Sequence, residues 1–169
     1  MKEYIAPYLT GKTVLIVGAD PDTDAAAVAA INADYVIASS RGLNFAPHAD
    51  MLVAIDGNLP IPDYAGLRVA GVPLDDENVM HANLPYEMVS IDYGYTVHIR
   101  NNTLSAIRLA AYAGAANIIL AGISHARYDG VHAGIGFTGA EIGLNALIAE
   151  LAGQGISVTY FEPPAKKKK

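Results

Sequence analysis

Short apolar runs, each closed by small or polar residues and followed by a helical pattern, set the rhythm of this chain. Residues 13–19 (TVLIVGA) are apolar and rich in β-branched side chains, and they stop at Asp20-Pro21-Asp22-Thr23-Asp24 before an alanine-rich segment that runs to residue 33. That order predicts strand, loop and helix, with Asp22 or Asp24 accepting the free N–H groups of the first helical turn, where the helix dipole also favours a negative charge. Residues 34–39 (DYVIAS) and 51–56 (MLVAID) predict a second and a third strand, and 67–72 a fourth after the loop marked by Pro60 and Pro62. Each run is apolar on both alternating faces, the pattern of a parallel sheet with helices on both sides.

From 73 to 95 the pattern weakens. Asp75, Asp76, Glu77, Asn78 and His81 suggest loop or short helix, and 87–92 a strand. Helical periodicity returns over 102–114 through Leu104, Ile107, Leu109 and Ala111, with Gly114 as the stop. Residues 117–123 (NIILAGI) read as an interior strand, 138–152 as a helix stopped by Gly153-Gln154-Gly155, and 156–161 as a last strand. Repeated strand–helix–strand units of this spacing predict an α/β fold of the Rossmann-like kind: a doubly wound, mostly parallel sheet with right-handed crossovers and helices on both faces. Ligands of such sheets sit beyond the carboxyl ends of the strands, where the strand order reverses direction.

A length of 169 residues fits one domain over 1–165, and an apolar content of 52% is far above what disorder permits. The absence of cysteine excludes disulfides, thiolate metal sites and cysteine nucleophiles, and it fits a reducing compartment. The first residues lack the apolar run of a signal peptide, and no apolar stretch approaches the ~20 residues that span a bilayer; the reading is a cytoplasmic protein with no membrane partner. The net charge of −6 hides a lopsided distribution, because no lysine lies between Lys12 and the Lys166 to Lys169 run. An acidic body makes a poor general surface for nucleic acid, and the lysine run reads as a solvated, disordered basic tail. A homo-oligomer is compatible with all of this.

The predicted strand ends carry most of the candidate chemistry. Asp20, Asp22 and Asp24, with Asp56 on a neighbouring strand end, have the hard oxygen donors that hold Mg2+ on a nucleotide diphosphate; Asp22 and Asp24 are the metal candidates, and helix capping is their competing role. Ser39, Ser40 and Arg41 end the second strand, where hydroxyls can bond sugar oxygens and the guanidinium can offset phosphate charge, or the three can form a solvated loop. Asn101, Asn102 and Thr103 open a helix, where N–H groups bind anions and the asparagines also serve as caps. His125, Tyr128, Asp129 and His132 share a loop whose Gly130, Gly134, Gly136 and Gly139 give it freedom to close over a ligand. A histidine titrating near neutral pH is a natural general acid or base, and a plain surface loop is the alternative. His48, His81 and His98 are scattered and read as structural or solvated.

Taken in order, VLIVGADPDTD, YVIASSRG with HADMLVAIDG, NNTLSAIRLAAYAGAANIILAGIS, and the His132 loop with the ending Phe161-Glu162-Pro163 resemble a known group. It is the small Rossmann-like domain of archaeal-type 6-hydroxymethylpterin pyrophosphokinase-like proteins and of one class of bacterial sialyltransferases. The resemblance implies a glycine-rich first turn in which Gly18 is the first glycine, with Asp20 standing where the group carries the second. Ser124 stands where the group carries aspartate. It also implies that His132, and after it His125, is the proton-transfer residue.

The function so implied is a small transferase using a nucleotide or nucleotide sugar as substrate, glycosyltransferase-like or diphosphokinase-like, with Mg2+ as a candidate cofactor. The rival from another class is a non-catalytic nucleotide-binding or assembly module of the compact kind that phages encode.

Overall fold

The computed structural model describes residues 2–54, 64–70, 79–81, 87–91, 95–99, 101–123 and 135–161. Its centre is a seven-stranded sheet in which every pairing is parallel. The strands are β1 (Thr13–Val17), β2 (Tyr35–Ser39), β3 (Met51–Ala54), β4 (Leu67–Ala70), β5 (Val79–His81), β8 (Asn117–Ala121) and β9 (Ser157–Tyr160). Their order across the sheet is β5-β4-β3-β2-β1-β8-β9. A separate antiparallel pair, β6 (Glu87–Ile91) with β7 (Tyr95–Ile99), intervenes before the chain returns to the sheet. The helices are α1 (Lys2–Leu9), α2 (Ala25–Ala29), α3 (Asn102–Tyr112) and α4 (Ile135–Gly153). The α/β, Rossmann-like class read from the sequence is the one found.

Strand alternation divides the core in two. Val14 and Ile16 of β1 join Ile5 and Leu9 of α1, Leu104 and Ile107 of α3, and Leu144, Leu147 and Leu151 of α4 in one cluster. Leu15 and Val17 join Val28 of α2, with Ala38, Leu52 and Ala121, in the other. Side chains one residue apart on a strand point to opposite faces, so β1 is buried on both. This accounts for the unbroken apolar runs in the sequence. Arg108 of α3 and Glu150 of α4 close the first layer with a two-pronged ion pair, at 2.7 and 2.8 Å, and the guanidinium hydrogen bond holds the Glu150 carboxyl below its ordinary pKa. Among the described residues no helix is long and apolar enough to cross a membrane.

Four differences from the sequence reading have local causes. The helix expected to run to residue 33 is only Ala25–Ala29. Asp34 explains the early stop: its N–H donates to the Thr13 carbonyl and its carboxylate accepts the Thr13 N–H at 2.8 Å, so the chain is already committed to the sheet. Within 73–95, expected as loop or short helix, Val79–His81 is a strand paired with β4, and the strand read over 87–92 gains Tyr95–Ile99 as a hairpin partner. Strands this short take their register from neighbours more than from their own periodicity. Helix α4 begins at Ile135, so Gly136 and Gly139 belong to the helix and not to the loop before it. Helix α1 contains Pro7, which masks its pattern, yet Ile5 and Leu9 at i and i+4 are fully buried. The lysine run lies outside the described residues.

At the amino edge of the sheet Tyr35 is half-buried, and Asp50 accepts the Val36 N–H at 2.8 Å. Burial, with Asp50 nearby, pushes the Tyr35 hydroxyl up to about 12, and the same causes raise Tyr64. A phenol whose pKa is raised by folding favours the folded state below its unfolded pKa of about 10, and that contribution is lost as pH rises from there through the folded value. Thermal melts taken from pH 8 to 12 should therefore fall off more steeply above pH 10 for the native chain than for Tyr35→Phe. Parallel curves would contradict the assignment.

Candidate functional site

Strand β1 sits where the winding reverses: β2, β3, β4 and β5 build away on one side, β8 and β9 on the other. The carboxyl ends of β1 and β8 are thus the switch point, the usual place for a ligand crevice in such sheets. Here the two connections are held in direct backbone contact. Gly18 donates its N–H to the Ala121 carbonyl at 2.8 Å, and Asp20 donates to the Gly122 carbonyl at 2.9 Å. A methyl group on Gly18 would lie 2.4 Å from the Gly122 oxygen. Gly122 has φ of +63°, and a methyl there would lie 2.5 Å from Thr23 Oγ1. Both positions need glycine, the first for the close approach and the second for its left-handed backbone.

The acidic loop between β1 and α2 is shaped by its own hydrogen bonds. Asp20 Oδ1 accepts the Asp22 N–H at 2.9 Å, a local turn. Asp24 is the N-cap of α2, accepting from Ala26 at 3.0 Å and Ala27 at 3.2 Å. Of the two aspartates weighed as the cap, Asp24 takes that role. Among the described residues no group of three or more histidine, cysteine, aspartate or glutamate side chains is disposed to hold a metal. Asp24→Ala should cost about 1 kcal/mol in chemical denaturation, the ordinary worth of an N-cap; a change below a few tenths would show that the cap contributes nothing.

Strand β2 delivers Ser39 and Ser40 to the same edge, both buried, and Arg41, which is exposed and has no hydrogen bond or ion pair among the described residues. Beyond them runs a 3-10 turn, Ser40–Asn44. Helix α3 packs against β1, β2 and β3 and alongside α4, with its start at this edge, where Ser39 Oγ and Thr103 Oγ1 lie 3.0 Å apart. The N-cap of α3 is Asn101, whose side-chain oxygen accepts from Thr103 at 2.9 Å and Leu104 at 3.1 Å. Of the two asparagines read as caps, Asn101 serves; Asn102 is the first helical residue.

The sequence-selected residues Gly18, Asp20, Asp22, Asp24, Ser39, Ser40, Arg41, Asn101, Asn102 and Thr103 therefore belong to connections at the carboxyl edge of the central strands. Asp56, His125 and His132 lie outside the described residues, as do Tyr128 and Asp129. Sequence reasoning missed three participants. Gly122 and Thr23 lock the β1 and β8 loops, and Gly42 packs under the end of β1, where a methyl would lie 2.0 Å from the Val17 carbonyl oxygen. A small residue directly after a strand was the available signal at Gly122. The Thr23 hydroxyl is buried with no hydrogen-bond partner among the described residues. No protein-family model matches the chain, and no characterised protein matches it in sequence.

Proposed function

We propose that this chain is a small transferase acting on a nucleotide-activated substrate, glycosyltransferase-like or pterin diphosphokinase-like. The observation that carries the reading is the Ser39–Thr103 hydroxyl bridge. It joins the end of β2, which leads into Arg41, to the start of α3, so hydroxyls, an amide-bearing helix start and a cation with no partner among the described residues share one edge of a doubly wound sheet. In this reading Arg41 offsets phosphate charge, Ser39, Ser40 and Thr103 meet sugar oxygens, and Asn101 and Asn102 read the base or sugar. Asp56 contributes to binding, and His132, with His125 as the second candidate, moves the proton between acceptor and leaving group. Mg2+ arriving with a diphosphate would draw on the carboxylates of Asp22 and Asp24, with Asp20 beside them.

A non-catalytic nucleotide-binding module is the second reading. It is favoured by one feature, the use of Asp24 and part of Asp20 in local capping, which leaves fewer carboxylate oxygens for a metal.

Thermal-shift screening against nucleotides, nucleotide sugars and pterins, with and without Mg2+, tests both. A ligand at ~100 times its Kd stabilises by about 2.7 kcal/mol, which for a chain of this size raises Tm by roughly 5–11 °C. Arg41→Ala should weaken diphosphate ligands more than the matching nucleoside. Stabilisation without turnover supports the module, and no stabilisation by any of these ligands defeats both readings.

A further inference from the structure

The geometry points to Ser40 as a reactive serine, the nucleophile of an acyl-transfer site built on the sharp turn between β2 and the 3-10 turn that follows. This goes beyond the nucleotide reading and does not depend on it.

Three independent observations meet at this residue. Its φ is +52°, and it is the only non-glycine residue with positive φ among those described. A side chain in that region is strained, and such strain persists where the surroundings hold it in place, most often at working sites. Second, the Ser40 hydroxyl has no hydrogen bond among the described residues, and it is not one of their buried polar atoms left without a partner, so it keeps contact with solvent although the residue as a whole is only 8% exposed. The neighbouring Ser39 hydroxyl, by contrast, is tied to Thr103 at 3.0 Å. Third, the residues two before and two after are small, and at Gly42 necessarily so. Ala38 is fully buried, and a methyl on Gly42 would drive into the Val17 carbonyl. The segment Ala38-Ser39-Ser40-Arg41-Gly42 thus has a serine at the apex of a tight strand-to-helix turn, flanked at both second positions by the small residues that such a turn requires. A sequence that needed only the turn would be served better by glycine at 40.

The turn also sets up the chemistry. It places Ser40 at the carboxyl end of a parallel strand, and the N–H of the following residue, Arg41, is the group that stabilises the oxyanion in turns of this design. With an ester or thioester substrate, Ser40 Oγ bonds to the carbonyl carbon, the bond from carbon to the leaving oxygen or sulfur breaks, and the serine proton departs with the leaving alcohol or thiol. Water then cleaves the acyl-serine, releasing the acid and restoring the hydroxyl proton.

The experiment is labelling of the folded, full chain with an alkyl fluorophosphonate, whose phosphorus takes the serine oxygen as fluoride leaves, with the site assigned by tandem mass spectrometry. Modification of Ser40 is expected, abolished by prior heat denaturation and by Ser40→Ala, and retained in Ser39→Ala. Ser40→Gly, which suits the backbone and removes the hydroxyl, must also lose the label, so a folding failure of the alanine variant does not blur the result. Absence of label on the folded chain, label on another residue only, or equal labelling after denaturation would overturn the inference.

Discussion

Gly42→Ala should lower the melting temperature by about 6–12 °C, corresponding to roughly 3 kcal/mol in a chain of this length. The added methyl would lie 2.0 Å from the Val17 carbonyl oxygen, 2.8 Å from its carbon and 3.0 Å from the Gly18 oxygen. All three are backbone atoms in or beside the central strand, so no side chain can swing aside, and relief requires moving the β2 connection off the end of β1. Gly153→Ala is the control. A methyl there meets nothing within 4 Å, and alanine is the better helix former, so that variant should be neutral or slightly stabilised. A loss of less than about 2 °C for Gly42→Ala would show that the two connections are not locked together.

For the proposed transferase, His132→Ala should cut turnover by roughly 10²–10⁴-fold, the usual worth of a positioned general acid or base, with nucleotide affinity nearly unchanged. Asp56→Ala should do the opposite, weakening binding while sparing the chemical step of the bound complex. Steady-state kinetics beside calorimetric titration separates the two. Equal turnover in His132→Ala and the native chain would remove this histidine from the reaction; a matching loss from His125→Ala would transfer the role to its neighbour.

The parts of the fold legible in the sequence were those in which a single segment carries its own signal. The runs around Val14 to Val17, Ile37, Leu52 and Ile118 are buried on both faces, so composition alone marks them as interior parallel strands. Asp24 and Asn101 are the right residue types directly before helical patterns, and each caps the helix it precedes. What stayed hidden depends on contacts between segments remote in the chain. Val79–His81 is too short for periodicity and is a strand because β4 offers it an edge. The end of the alanine-rich helix is decided by Asp34 bonding back to Thr13. The same holds at the site. Ser39 and Thr103 each stand out as polar residues at an element end, yet nothing in either segment says that their hydroxyls meet. The left-handed backbone of Ser40 has no sequence mark, since serine ordinarily avoids it.

The pairing of β1 with β8 has a consequence for how the chain is made. Thr13 and Asn117, joined across this pair, are 104 residues apart. Strand β2 can attach to β1, and β3 to β2, soon after they leave the ribosome, but the other edge of β1 stays open until residue 117 has been synthesised, which at ordinary translation rates takes roughly 5–20 s. Throughout that interval Val14 to Val17, the most deeply buried stretch of the finished sheet, presents a bare row of amides and carbonyls to any extended segment nearby. Distant parallel pairings are also slow to close once complete, because loop entropy must be overcome before the contacts reward it. Production of this protein should therefore be governed by crowding and temperature during synthesis more than by the stability of the finished fold, with slow translation at low temperature and chaperone supply raising the soluble yield.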